Sequence, residues 1–268
     1  MSTTPTTRTA RRPARRRTVT MPGLDVESSL VATRLAGDTV PGALVAGMDE
    51  VGRGALAGPV SVGVVVVRLP DAGPVPGVRD SKVLSPARRE ALVPQVLAWA
   101  AAAAVGHAEP AEIDRYGITA ALALAGRRAW HRVVQDLGAP PDVVLLDGRD
   151  DFLPRAPLDA CRALSAGPGR VHLQVKADAT CATVAAASIL AKVERDGLMI
   201  RLAREHPVYG WEGNKGYAAA GHRQALIERG PSPHHRLSWR LVPEPVAAEQ
   251  PVLSWDVPGE GTGGEWTA

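Results

Sequence analysis

Four acids and one glycine-rich turn have the residue types and spacing to do chemistry in this chain. In the stretch AGMDEVGRGALAGPV, residues 46–60, Asp49 and Glu50 stand side by side at the end of an apolar run, and Gly52, Arg53 and Gly54 follow directly. Asp147 closes a second apolar run, VVLLD, and Asp178 ends a third segment, RVHLQVKAD. Ligand sites in α/β sheets gather where strands end, so acids at three separate strand ends can meet in space. Each has a plainer role open to it. Asp147-Gly148 is a good turn dipeptide, and Asp178 lies just ahead of a helix whose N-terminal dipole would stabilise it. Together they point to a site. Carboxylates at close range are costly unless a cation lies between them. Oxygen donors without His or Cys select a hard cation, Mg²⁺ or Mn²⁺, over zinc. Two such ions about 4 Å apart can stabilise the attacking and leaving oxygens of an in-line displacement at phosphorus.

The glycines beside the acids let backbone approach a ligand closely. Arg53, between two of them, is placed either to bind phosphate or to brace the carboxylates. The turn is not a Walker A loop, because no G-K-[ST] follows, and not a dinucleotide fingerprint, because the spacing differs and the acids precede the glycines.

The elements that must position these residues alternate along the chain. LVAGMDE (44–50) and VSVGVVVVRL (60–69) read as strands that can pair as a hairpin, and AAAAVGHA (101–108) as a third strand. SPARREALVPQVLAW (85–99) starts with a Ser-Pro helix signal and continues as a helix through Pro94. A long helix is expected over 114–138, ending at Gly138, and another over 180–206, whose first half is packed with small residues. Ala182, Ala185, Ala186 and Ala187 suit close helix–sheet packing that would fix Asp178. Strands interleaved with helices predict an α/β domain with a mixed central sheet flanked by helices. The predicted organisation is a disordered Arg-rich tail over 1–40, a catalytic domain over 41–206, a C-terminal helical extension over 207–242 and a disordered acidic tail over 243–268. Residues 149–169 are Pro/Gly-rich and read as a protruding, mobile insertion.

Composition excludes several classes. The chain has 268 residues, 45% hydrophobic and 22% charged, which suits a globular protein with a sizeable core. Its two cysteines, Cys161 and Cys181, form neither a metal-ligand spacing nor a disulfide framework, and fit a reducing cytoplasm. No apolar run is long enough to span a bilayer, and the Arg-rich head lacks the apolar core of a secretory signal. Net charge is +3. Six arginines lie in residues 1–20 and five acids in 243–268, which leaves 25 basic and 23 acidic side chains between, so nucleic-acid binding by the core would need a local patch. His234 and His235 are adjacent, cannot form a metal pair on one helix face, and read as packing or hydrogen-bonding residues. His131 and His172 read as structural or surface.

The stretch AGMDEVGRGALAGPV resembles the first motif of the type 2 ribonucleases H, and of bacterial ribonuclease HII in particular. RDSKVLSPARRE (79–90), AEPAEIDRYGI (108–118), VVLLDG (143–148), VKADA (175–179), AAASILAKVERD (185–196), NKGYAAAGH (214–222) and HHRLSW (234–239) follow in that family's order. Two details depart from its pattern: Tyr116-Gly117 stands where an x-Asn is usual, and Trp239 replaces Phe. The resemblance implies an RNase H-like α/β fold with a C-terminal helical subdomain. It implies metal-dependent endonucleolysis of the RNA strand in RNA–DNA hybrids and at single ribonucleotides embedded in duplex DNA, cut on the 5′ side to leave 5′-phosphate and 3′-OH ends. The family's metal-binding acids carry onto Asp49, Glu50, Asp147 and Asp178, with two Mg²⁺ or Mn²⁺ ions expected during catalysis. Its 2′-OH-sensing segment carries onto Gly52, Arg53 and Gly54, and its substrate-recognising tyrosine onto Tyr217. Lys82, Lys176, Lys192 and Lys215 are candidate phosphate contacts. Neither a membrane nor an obligate protein partner is expected. Two rival readings of the same fold are a noncatalytic nucleic-acid-binding module, which would require loss of an acid, and a DNA nuclease, against which the Gly-Arg-Gly and Lys-Gly-Tyr segments argue.

Overall fold

The computed structural model describes residues 21–34, 42–73 and 77–242. Its centre is a five-stranded sheet in the order β3-β2-β1-β4-β5. Strands β1 (Ala43–Val51), β2 (Val60–Leu69) and β3 (Ala102–Ala108) form an antiparallel meander; β4 (Val143–Asp147) and β5 (Val171–Gln174) run parallel to β1. The β-branched run of β2 makes it a central strand, buried along nearly its whole length. The mixed sheet is the one expected, and helices cover both faces.

On one face, Met48, Val62, Val64 and Leu146 pack against α4 (Ile118–Leu137). On the other, Val65 meets α5 (Ala182–Glu205), and Val45 and Leu145 lie against Val184 of α5. Helix α2 (Pro86–Trp99) adds Leu92 and Val96 on the α5 side. Ser85 caps it, accepting from the Arg88 N–H at 3.3 Å, and Pro94 is accommodated inside it. The alanine-rich half of α5 is buried as expected, and glycines on the sheet make that approach possible. A methyl group on Gly47 would run into the backbone of Thr183 and Val184, and one on Gly63 into the Ala187 carbonyl. The third strand repeats the device at Gly106, against Ala125 and Ala129 of α4.

Four expectations are corrected. The helix expected over 114–138 is two helices, α3 (Pro110–Tyr116) and α4. Gly117, at φ 80°, is a conformation that breaks α-helix, and it caps both. The third acidic segment does not carry its acid on a strand: β5 ends at Gln174, Lys176 takes a left-handed conformation at φ 59°, and Asp178 sits in a single 3-10 turn, Ala177–Ala179. Part of the expected N-terminal tail is helix α1 (Asp25–Arg34). Its Val31 joins the core, and its fully buried Glu27 accepts from the Thr183 N–H and hydroxyl at 3.0 and 2.9 Å. The 149–169 segment is packed rather than protruding. Phe152, Leu153, Ala156 and Cys161 are buried against α4, and the Trp130 indole donates to the Ala166 carbonyl at 2.9 Å. Its scattered apolar residues cover the end of the α4 layer, where solvent would otherwise reach the core. Residues 1–20, 35–41, 74–76 and 243–268, which include the rest of the expected N-terminal tail and the whole expected acidic tail, lie outside the described residues.

A short 3-10 turn, α6 (Trp211–Asn214) and α7 (Ala220–Arg229) make up the C-terminal run. Among the described residues no helix is long and apolar enough to cross a membrane.

Gly47→Ala should lower unfolding stability by roughly 1–3 kcal/mol, because α5 backbone rather than a flexible side chain must move. Urea denaturation checks it, and an unchanged midpoint would mean that the contact is not tight.

Candidate active site

Asp49 lies near the end of β1, opposite Gly63 of β2, and is 5% exposed. One of its oxygens accepts the Glu50 N–H at 2.8 Å. Burial, with the charges of Glu50, Asp147 and Asp178, pushes its carboxyl up to about 8, while the Ser188 hydroxyl on α5 pulls the other way. Ser188 is itself held by Ser81 at 2.8 Å. Glu50 is raised by burial and by Asp147, with Arg53 and Lys82 opposing. Arg53 lies 3.9 Å from the Glu50 carboxylate, so it braces the acid loosely. Asp147, at the tip of β4, accepts the Ala177 N–H at 2.7 Å and so ties β4 to the turn that carries Asp178. Asp178 is buried, which raises its pKa despite an ion pair with Lys82 at 3.2 Å. Burial pulls the Lys82 ammonium down, but Asp178 outweighs it and the net shift is upward.

The four acids therefore share one electrostatic site, as expected, yet they do not close into a ligand set. Among the described residues, the only trio of ligand-type atoms within 4.8 Å of one another lies elsewhere, at Glu205, His206 and His234. One oxygen each of Asp49 and Asp147 is turned to a backbone N–H, and Asp178 to Lys82. Oxygen-only donors, burial and mutual repulsion at this one end of the sheet fit a hard divalent cation.

Beside the acids runs the loop Gly52–Pro59, held by two buried arginines to which the sequence reading gave no role. The Arg236 guanidinium donates to the carbonyls of Gly52 at 2.6 Å, Arg53 at 2.9 Å and Gly58 at 3.1 and 3.2 Å. Arg195, on α5, donates to the carbonyls of Pro59 at 2.9 Å, Ala57 at 3.2 Å and Lys215 at 3.0 Å. Both are fully buried and neither has a carboxylate partner among the described residues. Burial, with the charge of Arg195, pushes Arg236 down to about 9, so it stays charged at neutral pH. Gly52, at φ 84°, has no room for a side chain, because a methyl there would strike the Arg195 guanidinium; Gly54 faces open space. Among the described residues the N–H groups of Arg53 and Gly54 have no hydrogen-bond partner, while the carbonyls of Gly52 and Arg53 are satisfied.

Tyr217 sits with its ring 5.4 Å from the Arg195 guanidinium and 5.9 Å from the Lys192 ammonium, partly exposed. A relay of neutral imidazoles sets its backbone. The Trp211 indole donates to His222 Nε2 at 3.1 Å, so the 3.0 Å contact between His222 Nε2 and His235 Nε2 requires His235 to donate. His235 Nδ1 then accepts the Ser232 N–H at 2.9 Å, and His222 Nδ1 donates to the Tyr217 carbonyl at 2.9 Å. Burial, with the charge of His222, pushes His235 down to about 4, and burial lowers His222 as well. Lys192 is paired to Asp196 at 2.8 Å, Lys215 is bonded to the Glu212 carbonyl, and Lys176 is exposed. Of the four lysines, Lys82 alone makes an ion pair with one of the four acids.

The arginines and the histidine relay were hard to find in sequence. Arg195 and Arg236 do stand in segments with family resemblance, but a buried arginine satisfied only by distant carbonyls leaves no local pattern.

The sequence model described as Ribonuclease HII matches residues 46–242. A ribonuclease HII of Streptomyces coelicolor is 45% identical over 214 residues, covering 80% of this chain and 82% of that protein. The solved ribonuclease H2 of Pyrococcus horikoshii OT3 superposes with a TM-score of 0.58 at 27% identity, covering 74% of this chain and 94% of that one. Bst-RNase HIII in complex with Mn²⁺ has the same fold, with a TM-score of 0.57 at 23% identity over 76% of this chain and 66% of that one.

Arg236→Lys keeps the charge but loses the fork that reaches three carbonyls at once. Amide exchange at Ala55, Leu56, Ala57 and Gly58 should speed up at least tenfold, while the amides of β2 stay protected. Equal exchange in both proteins would remove Arg236 as the residue that holds the loop.

Proposed function

Because the chain belongs to the ribonuclease HII family and is a ribonuclease H, we propose that it also nicks duplex DNA on the 5′ side of single embedded ribonucleotides. The products are 5′-phosphate and 3′-OH ends, and the role is ribonucleotide removal from cytoplasmic DNA. The observation that carries this reading is the buried Asp49 carboxyl, raised to about 8 among three other acids, beside a loop with two free N–H groups.

Asp49, Glu50, Asp147 and Asp178 would hold Mg²⁺ or Mn²⁺, two ions during catalysis. Bound there, such ions supply charge stabilisation at the attacked phosphorus and lower the pKa of water. The chain's own residues do the rest. The Asp49 carboxyl, raised to about 8, would give up its proton to a bound cation, and Asp178 would exchange Lys82 for that cation as its compensating charge. The Lys82 side chain is 75% exposed while the Asp178 carboxylate it pairs with is buried, so Lys82 can turn to a substrate phosphate once a bound cation compensates Asp178.

A ribose 2′-OH is donor and acceptor together and is what marks RNA at one nucleotide. The N–H groups of Arg53 and Gly54 can donate to it, and the absence of a side chain at Gly54 leaves room for the sugar. Arg236 keeps the loop carbonyls engaged, so the loop offers donors without a second rearrangement. Tyr217 can stack on the neighbouring deoxyribose, held over two cations that Lys215 and Lys176 extend towards the phosphate backbone. Hybrid and ribonucleotide-bearing duplex are the substrates and partners this arrangement supports.

Purified protein with Mg²⁺ or Mn²⁺ should nick a duplex with one embedded ribonucleotide and leave the all-DNA duplex intact. Asp178→Asn should reduce that cleavage by at least about a hundredfold, a size typical of losing an electrostatic catalytic group. Cleavage of hybrid without nicking at the single ribonucleotide would keep the ribonuclease H and reject the finer substrate. Equal cleavage of both duplexes would support the DNA nuclease instead.

A further inference from the structure

Among the described residues, the one close trio of ligand-type side chains lies outside the carboxylate site. Glu205 is the last residue of α5, His206 follows it as the helix cap, and His234 comes from the segment after α7. One ligand atom from each lies within 4.8 Å of the other two. Tetrahedral bonds of about 2.0–2.2 Å to nitrogen and oxygen put ligand atoms about 3.3 Å apart, so small side-chain rotations would close the set. Glu205 is exposed and the two imidazoles are half-buried, which leaves the position open to solvent.

These side chains are also unoccupied by other bonds. Among the described residues, neither the Glu205 carboxylate nor the ring nitrogens of His206 and His234 have a hydrogen bond or ion pair. Their neighbours contrast with them, because His222 and His235 are each bonded at both ring nitrogens. The His206 and His234 rings stand edge to face with centroids 5.2 Å apart, and the Trp211 ring lies 5.6 and 6.2 Å from them, an aromatic wall that limits how the imidazoles turn. The site also sits at the C-terminal end of a 24-residue helix, where unpaired carbonyls favour positive charge.

We infer that Glu205, His206 and His234 bind a transition-metal dication of the zinc class, with a fourth position for water. Two imidazoles and one carboxylate are a zinc ligand set, in contrast to the oxygen-only acids of the cleavage site. The cation would tie the end of α5 to the segment that backs the Gly52–Pro59 loop. The His234 carbonyl accepts the Gly58 N–H at 2.8 Å, and Arg236, two residues on, holds the loop carbonyls. Its occupancy is thus a means of stiffening the loop from behind, and it does not depend on the substrate proposed above.

The test is calorimetric titration of the untagged full chain with Zn²⁺ in saturating Mg²⁺, which keeps the oxygen site filled. The wild type and Asp49→Asn should each bind one Zn²⁺ per chain, with a rise in melting temperature. Glu205→Gln, His206→Gln and His234→Gln should each weaken binding at least tenfold and lose the melting shift. Glu205→Gln changes an exposed residue at a helix end, so it reports even where a histidine variant folds poorly. No Zn²⁺ binding by the wild type, unchanged affinity in any one of the three variants, or loss of binding in Asp49→Asn overturns the site.

Discussion

Carboxylate crowding at one end of the sheet is the constraint on which the rest of the structure depends. Asp49 is almost wholly buried, has three other acids within electrostatic reach, and is pushed up to about 8. Leaving such groups together without a cation costs stability, since each unit of pKa shift corresponds to about 1.4 kcal/mol between protonation states. The fold holds them regardless. Asp49 and Glu50 are fixed by β1, which is paired on both sides, and Asp147 by the adjacent β4. Asp178 hangs on a turn that Asp147 itself anchors. Tight contact between the glycines of the sheet and the alanines of α5 keeps Ser188 against Asp49 and leaves little slack for the acids to separate further.

The same frame serves the adjoining loop by a different means. Where the acids have only the exposed Lys82 and Arg53 as counter-charges, the loop carbonyls receive two buried guanidinium groups. A buried arginine without a carboxylate is unusual, because burying charge is expensive unless its donors are met. Here the donors are met by carbonyls from Gly52 to Pro59 and by Lys215, and the charge is spread over the loop that borders the acids. The acids proposed to hold metal and the N–H donors proposed to face substrate thus sit within six consecutive residues, with arginines from two later segments beneath them. Under the proposed function, this arrangement would give a ribonuclease H a rigid place to test for a 2′-OH beside the phosphate that is cut.

Much of this was legible before the structure. The β-branched run of β2, the Ser-Pro start of α2 and the alanine stripe of α5 are local patterns, and local pattern carries element type well. The four acids were legible because each follows an apolar run. What escaped depends on pairings far apart in sequence. Helix α1 is short, and it is anchored by Glu27 bonding to Thr183, more than 150 residues away. The 149–169 segment lacks periodicity, yet its single phenylalanine and Cys161 pack on α4. Asp178 lies past the end of its strand because Lys176 takes a left-handed turn that no local residue type demanded. His234, read with His235 as a packing or hydrogen-bonding residue, does pack on His206 and Trp211, and its approach to Glu205 was not legible.

The claim that crowded acids strain the cation-free protein is tested most directly by the pH dependence of melting in chelator, wild type against Asp49→Asn. The folded pKa of Asp49 is raised from 3.8 to about 8, so its folded state binds the proton more tightly than the unfolded chain does. Its favourable contribution is complete below about pH 4 and is lost as pH rises through about 8. The account predicts that the wild type falls in melting temperature relative to Asp49→Asn across that window, and that Mg²⁺ at pH 8 restores the wild type more than the variant. Parallel melting curves for the two proteins from pH 4 to 8, with equal gains from Mg²⁺, would contradict it.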